Sequence, residues 1–389
     1  MNKKLYFKAL AFVCTVAFGF TSCSDDDGPS VNAIEVVQPT TGATISVTPA
    51  EAKPGETVTV TATLQDKYTF NGWKVSTITS EIAVEDASAL TTTFIMPNSP
   101  VIVSAAILAP GELYGLTTVV IPAGTRLLGS NPDEPSYYRD EKLHEVTISK
   151  DFYMSAYEIT NQQYADFLNA TGVLQDGEGA VPGLTDTEVL IYDSTTLDGG
   201  RFNFGVNWTG TKWVAAEGYE ENPVIYVTWY GAAAYADYVG GSLPTEAQWE
   251  YACRGGQAEQ LPFGIGDGTK MEKGMAAFYI YDYYDLAQGG RVVDSTIEGY
   301  QSSTYPVGSF EPNGYGLYDM HGNVYEWCSD FYGTYPDEPT VDPTGPESGS
   351  RYVVRGGGWV NSGRELRSAV RWESRPTTKL ENYGFRVVF

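Results

Sequence analysis

Two short helical segments with the same start signal limit how much regular structure the C-terminal part of this chain can form. In "TNQQYADFLNATG", Thr160 stands three residues before Gln163, which is the spacing of a capping box, and Gly172 ends the helix. The segment "TEAQWEYACRGG" repeats the pattern with Thr245 and Gln248, and glycines again follow. Both helices are therefore predicted to be short, with irregular chain on either side.

The chain around these helices is rich in glycine and aromatic residues, with 42 Gly, 28 Tyr and 8 Trp among 389 residues. The segment "TWYGAAAYADYVGG" predicts one further helix, from about Trp229 to Val239. An aromatic content of 13% indicates a large packed or ligand-facing surface and argues against disorder. We expect the three helices to pack through aromatic faces.

Residues 31–108 are poor in helix signals and rich in alternating threonine and valine. In "PGETVTVTA" a turn precedes a strand that carries Val58 and Val60 on one face, and "YTFNGWKV", "TTTFIMP" and "PVIVSAAI" predict further short strands around an aromatic core. The segment resembles the divergent B-repeat modules of bacterial surface proteins, which implies a small all-β spacer or adhesion unit. "LAPGELYGL", at residues 108–116, is predicted to be the linker.

The N-terminus has the pattern of an export signal. Three lysines precede an apolar run from Ala9 to Phe20 that is too short to span a bilayer comfortably, which predicts a secretory signal peptide over residues 1–22. "FTSC" resembles the lipobox of bacterial lipoproteins and implies lipidation of Cys23; a plain cleaved signal peptide is the alternative. Residues 23–30 are then an acidic linker, and its "SDDDG" is either a solvated linker or, by resemblance, an export tag of surface lipoproteins.

The net charge narrows the range of partners. It is −25 for the whole chain, and loss of Lys3, Lys4 and Lys8 with the signal peptide would make it −28. Such a surface repels nucleic acid and anionic lipid, so neither is an expected partner. We expect a lipid-anchored protein of the outer membrane or cell surface of a Gram-negative bacterium.

Six segments occur in an order that is typical of one family. Residues from about 114 to 389 resemble the formylglycine-generating enzyme family, the sulfatase-modifying-factor domain, through the segments "VVIPAGTRLLGS", "FYMSAYEITNQQYADFLNATG", "NPVIYVTWYGAAAYADYVGGSLPTEAQWEYACRGG", "PNGYGLYDMHGNVYEWCSDFY", "VVRGGGWVNS" and "NYGFRVVF". The resemblance implies an irregular α+β fold related to C-type lectins over residues 109–389. Function depends on the site and has to be argued separately.

Active members of this family hold copper through two cysteines just after the glycine-rich motif, and soft thiolates suit Cu(I). Here that stretch, residues 360–366, reads "VNSGREL", and no cysteine follows Cys328. The other cysteine of the folded part, Cys253, lies in a predicted helix. We interpret both as core residues or as a structural disulfide pair, and we expect no copper.

The segment "LYDMHGNVYEW" contains oxygen donors of the kind that Ca2+ prefers. By resemblance to the family, four positions match a structural calcium site, with two carboxylates and two backbone carbonyls: Asp319, Gly322, Val324 and Glu326. The alternative is that Asp319 caps the turn and Glu326 pairs with an arginine. His321 lies in the same turn and is predicted to be a hydrogen-bonded scaffold residue.

Around the former copper site, a Trp face with amide and guanidinium donors would suit peptide or sugar recognition. The residues predicted to line this groove are Trp359, Asn361, Arg364 and Asn382. In the alternative, Trp359 is a core residue, Arg371 belongs to an internal ion pair, and the "GGGW" and "SAVR" segments are central strands.

The leading hypothesis is a lipid-anchored pseudoenzyme that uses this groove to bind a peptide, a glycan or an envelope protein. Lipoproteins with this domain also occur in secretion and gliding machinery. The alternative is a copper-dependent oxidase that converts a sulfatase cysteine to formylglycine. A hydrolase or transferase lacks support, because no nucleophile with a neighbouring base is recognisable near Asn361.

Overall fold

The computed structural model describes residues 31–174, 176, 190–195 and 201–389. Within these residues the chain forms two compact units. The first comprises the described residues up to Pro39 with Thr44–Thr63 and Gly72–Ala106, and the second comprises Thr40–Ala43, Leu64–Asn71 and Ile107–Phe389. No helix in the described part of the chain is long and apolar enough to cross a membrane.

The N-terminal segment is all β, as predicted. Its strands form two sheets, in the orders β3-β1-β7-β5 and β2-β4-β6. Val58 and Val60 are fully buried on one face of β4, and Trp73 and Phe94 are the aromatic core residues. The strand bounds are β1 Asn32–Val36, β2 Ala43–Thr48, β3 Glu51–Ala52, β4 Thr57–Leu64, β5 Thr69–Ser76, β6 Thr91–Ile95 and β7 Val101–Leu108.

The three predicted helices of the second unit are present, and their bounds are α1 Asn161–Thr171, α2 Trp229–Tyr238 and α3 Glu246–Cys253. Complete capping boxes begin α1 at Thr160 and α3 at Thr245. Gly172 ends α1 in the left-handed conformation at φ 75°, where a side chain would be strained. These local signals fix where the helices begin and end.

The remaining strands are short and form five small sheets with the orders β18-β10-β9, β11-β8, β12-β13, β14-β15-β16 and β20-β19-β17-β21. Their bounds are β8 Thr118–Ile121, β9 Gly124–Leu128, β10 His144–Ile148, β11 Phe152–Ser155, β12 Val206–Trp208, β13 Trp213–Ala215, β14 Lys270–Met271, β15 Asp282–Asp285, β16 Gly290–Val293, β17 Tyr325–Phe331, β18 Thr340–Val341, β19 Tyr352–Arg355, β20 Trp372–Ser374 and β21 Tyr383–Gly384. Mostly irregular chain connects them, in agreement with the prediction.

Aromatic side chains join the helices to the sheet around β17. The rings of Tyr164 in α1 and Tyr235 in α2 stack at 5.8 Å, and both contact Phe385 edge to face. This confirms the expected aromatic packing of these helices. The prediction that "GGGW" and "SAVR" are central strands was wrong, since both segments are buried turns and irregular chain beside β19.

Candidate functional site

Asn361 organises the turn that follows the glycine-rich motif. Its Oδ1 accepts hydrogen bonds from the backbone N–H of Gly358 at 3.1 Å and from Nδ2 of Asn382 at 3.2 Å. Its Nδ2 lies 3.5 Å from the hydroxyl of Tyr325. The side chain is thus largely used to hold the turn together, which an amide can do and a metal-binding thiolate would not.

The chain after this turn forms a short 3₁₀ helix over Gly363–Leu366. It begins with a capping box in which the Glu365 carboxylate accepts from the N–H and the hydroxyl of Ser362, both at 2.9 Å. Leu366 is fully buried and packs in an apolar cluster with Phe263 and Tyr284. The stretch in which the family resemblance predicts copper ligands is therefore built here as turn and core.

The two cysteines of the described chain are buried free thiols. Burial raises the pKa of Cys253 to about 12 and that of Cys328 well above its usual range, so both are protonated at neutral pH. The disulfide that the sequence left open does not form. Copper is held by thiolates, and two buried, protonated and unpaired thiols do not offer that ligand set.

His321 is a scaffold residue, as predicted. Its Nδ1 lies 2.7 Å from the carbonyl oxygen of Leu366, and its Nε2 lies 3.0 Å from the backbone nitrogen of Gly264. The ring therefore donates at Nδ1 and accepts at Nε2, which is the neutral form. Burial lowers its pKa to about 4, so it stays neutral at physiological pH.

Glu326, predicted as a calcium ligand, is paired with an arginine instead. Nε and Nη2 of Arg386 donate to its two carboxylate oxygens, each at 2.7 Å, and Nε1 of Trp249 donates to Oε2 at 2.7 Å. Both oxygens are thus engaged with cationic or N–H donors, as in the alternative. Among the described residues Oε1 accepts only the bond from Arg386 and keeps a second lone pair, so a role of Glu326 as calcium ligand stays a prediction.

The Asp319 carboxylate accepts fewer hydrogen bonds from the described residues than the Glu326 carboxylate does. Its Oδ2 accepts the backbone N–H of Gly308 at 2.7 Å, and burial raises its pKa to about 6. Burial also raises the pKa of nearby Glu158, with Asp319 and Glu326 adding to the effect. Across the residues that the structure describes, no three His, Cys, Asp or Glu side chains are arranged to hold a metal. Calcium binding at Asp319, Gly322, Val324 and Glu326 stays a prediction.

The predicted groove is only partly formed. Trp359 is 3% exposed, packs edge to face on Phe202 and Phe204, and donates from Nε1 to the carbonyl of Glu381. Its assignment to the groove was therefore wrong, and it is a core residue, as in the alternative. Asn382 is also buried and supports Asn361.

Arg371 and Arg364 differ in their hydrogen bonding. Arg371 forms an internal ion pair in which Nε and Nη2 donate to the two carboxylate oxygens of Glu246, each at 2.7 Å. Arg364 is half-buried, and its Nε has no hydrogen-bond partner among the described residues. Of the predicted groove residues, Arg364 therefore keeps an unpaired donor, while the half-buried Asn361 side chain is used in the turn.

The structure adds three tyrosines that the sequence prediction missed: Tyr279, Tyr281 and Tyr300. Their ring centroids lie 5.2 to 5.8 Å apart, and we call them the tyrosine surface. The backbone N–H of Tyr279 donates to the carbonyl of Asn361 at 2.8 Å, which places this surface beside the turn. The signal for Tyr279 and Tyr281 was the period-2 alternation in "FYIYDYYD", whose first three outward positions are tyrosines.

Two family models match this chain, one over the N-terminal module and one over the C-terminal domain. Residues 110–389 match the family described as sulfatase-modifying factor enzyme 1-like domain, and residues 34–106 match the divergent InlB B-repeat domain. Both resemblances predicted from the motifs, and the α+β fold class with its all-β N-terminal module, are confirmed.

The chain is similar to proteins of different named activities. It is 33% identical to the formylglycine-generating enzyme of Bos taurus over 72% of this chain and 77% of that protein. It is 34% identical to the protein named serine/threonine-protein kinase pkn1 of Chlamydia caviae, over 69% of this chain but 37% of that protein. Among solved structures, PvdO from Pseudomonas aeruginosa is 27% identical with a TM-score of 0.49, over 70% of this chain and 93% of that one.

Proposed function

Since the chain belongs to the sulfatase-modifying factor enzyme 1-like family, we propose that it is a non-catalytic, lipid-anchored member that binds a peptide or glycan at the tyrosine surface. The observation that carries this proposal is the chemistry of residues 360–366. Asn361 is bonded to Gly358 and Asn382, and Leu366 is core, where active members need two thiolates.

The tyrosine surface offers what a peptide or sugar ligand needs. Tyr279 is 41% exposed, and Tyr281 and Tyr300 are half-buried, so part of each ring is free for stacking. The phenol hydroxyls can donate and accept hydrogen bonds, and the Arg364 guanidinium, three residues after the Asn361 turn, is a further donor. An apolar face with a few polar groups is the usual composition of a small binding site.

The predicted export signals support a location at the cell envelope. Residues 1–22 would be removed, Cys23 would carry the lipid anchor, and the acidic linker and B-repeat-like module would separate the anchor from the binding domain. A role as a structural part of envelope secretion or gliding machinery fits the same arrangement. The ligand in that case is a segment of an envelope protein.

The second candidate is a copper-dependent oxidase that converts a sulfatase cysteine to formylglycine. It is favoured by the formylglycine-generating enzymes of Bos taurus and Mus musculus, which are 33% and 34% identical to this chain. It would require Cys253 or Cys328 to become an accessible thiolate, although both are fully buried. We therefore prefer the binding role.

The binding role is tested with the full chain on an array of oligosaccharides and of peptides that include a sulfatase-motif peptide. We expect at least one probe to bind, and Tyr279→Ala to weaken that binding about tenfold, as expected when a stacking aromatic is lost. Trp372→Ala is the matched control, because Trp372 is 52% exposed on β20 and outside the tyrosine surface. Equal losses in both variants, or no binding of any probe, would contradict the assignment.

A further inference from the structure

A pocket lies at the C-terminal end of β17, and no part of the proposed function uses it. Its volume is about 280 Å3. The loop of residues 333–346 forms much of its lining. Most of the wall is apolar and consists of Ala247, Phe331, Pro336, Pro343 and Pro346.

Asp330 is the acidic group of this pocket. It is 4% exposed, and it accepts the backbone N–H of Glu246 at 2.9 Å and the hydroxyl of Ser329 at 3.0 Å. Both of these bonds go to Oδ2, so they leave Oδ1 as an acceptor. These hydrogen bonds therefore hold the carboxyl group through Oδ2.

The neighbouring charges do not neutralise Asp330. Arg371 donates to both carboxylate oxygens of Glu246, and its guanidinium lies over the ring of Tyr335 at 3.8 Å, so it is held by other partners. Burial, followed by the charge of Glu246, raises the pKa of Asp330 to about 7. A cation that entered the pocket would relieve this repulsion and pair with Asp330.

A second polar atom of the pocket also lacks a partner. Oγ1 of Thr340 in β18 is buried, and the described residues offer it no hydrogen bond. An unpaired buried hydroxyl is costly, so a ligand with a hydrogen-bond donor would be favoured here. Asp330 and Thr340 both line the pocket, and the oxygens of both side chains are hydrogen-bond acceptors.

We propose that this pocket binds an alkylammonium group, namely the lysine side chain of a peptide. The methylene stem would pack against Phe331 and the three prolines, and the ammonium group would donate to Oδ1 of Asp330 and to Oγ1 of Thr340. The net charge of −25 favours the approach of a basic peptide. A divalent metal ion would find too few carboxylate oxygens, because Glu246 is already paired with Arg371.

The test uses two probes with similar apolar stems. The full chain is titrated with Nα-acetyl-lysine methylamide and with Nα-acetyl-norleucine methylamide, and binding is followed by ligand-observed NMR. We expect the lysine probe to bind at least about tenfold more tightly, since it alone carries the charge that pairs with Asp330. Equal binding of both probes, or no binding of the lysine probe, would overturn the proposal.

Two matched variants locate the effect. Asp330→Asn should remove the preference for lysine, while Asp337→Asn should keep it, because the Asp337 side chain is 90% exposed and pairs with Lys142. Asp330→Asn removes a buried charge and retains the Oδ2 acceptor as an amide oxygen, so it is expected to fold. A thermal melt of each variant checks this. A lysine preference that survives in folded Asp330→Asn would contradict the site.

Discussion

Replacing Arg355 with methionine is expected to lower the free energy of unfolding by about 3–5 kcal/mol, as measured by urea denaturation at pH 7. Arg355 is fully buried in β19 and forms an ion pair with Glu250 of α3. Its guanidinium also donates to the carbonyls of Ser368, Ala369 and Val370 at 2.8 to 3.1 Å. Methionine fills similar volume but leaves these acceptors unsatisfied.

The control for this effect is Arg351→Met. Arg351 pairs with Glu373 at 3.4 Å, and both side chains are more than 40% exposed. An exposed pair contributes less than about 1 kcal/mol, so this variant should unfold close to the wild-type denaturant midpoint. Similar losses of unfolding free energy in Arg355→Met and Arg351→Met would contradict the view that burial determines how much an ion pair stabilises the fold.

The buried ion pair between Arg355 and Glu250 predicts that the stability of the fold depends on pH. Burial opposes ionisation of Glu250, but Arg254 and Arg355 outweigh it and lower its pKa from 4.5 to about 2. A lowered carboxyl pKa stabilises the fold fully above pH 4.5, and this stabilisation is lost as the pH falls through 2. The difference in stability between wild type and Arg355→Met should therefore shrink between pH 4.5 and pH 2.

The second large effect is expected for Arg386→Met, which should also cost about 3–5 kcal/mol in urea denaturation. Arg386 is the cation that pairs with Glu326, and the carboxyls of Glu158 and Asp319 lie in the same buried region. Without the guanidinium, the Glu326 carboxylate remains buried beside two further acids. Their mutual repulsion and the loss of solvation both favour unfolding.

A double variant separates the ion pair from simple packing. Glu326→Gln combined with Arg386→Met removes both charges, and the glutamine oxygen can still accept from Trp249. Removing both members of a buried pair usually costs far less than removing one, so most of the stability should return. Arg386 also donates to the carbonyls of Ser155, Ala156 and Tyr318 at 2.8 to 3.2 Å. A double variant as unstable as Arg386→Met alone would show that the guanidinium acts mainly through these bonds.

Local signals made the helices and the module strands predictable. The capping boxes at Thr160 and Thr245 need only residues three apart, and the face shared by Val58 and Val60 needs only period-2 alternation. The absence of cysteine after Cys328 is also visible in the sequence alone. These features do not depend on which distant segments meet.

The roles that the sequence did not settle belong to residues whose partners are far away in the sequence. Trp359 has the composition of a groove residue, but it packs on Phe202 and Phe204, more than 150 positions earlier. For Glu326 the arginine pair of the alternative is present, and its partner Arg386 lies 60 positions later. A sequence pattern shows what a side chain can do, and tertiary contacts decide which of those roles it takes.

The proposal that the domain is non-catalytic is tested most directly by its reaction with a cysteine-containing sulfatase-motif peptide. The full chain is incubated with the peptide, copper and oxygen, with an active formylglycine-generating enzyme as positive control, and the peptide mass is measured. The account predicts an unchanged cysteine peptide, because Cys253 and Cys328 are buried free thiols and residues 360–366 hold none. Conversion of the cysteine to formylglycine would contradict it and would require one of these two thiols at the reacting centre.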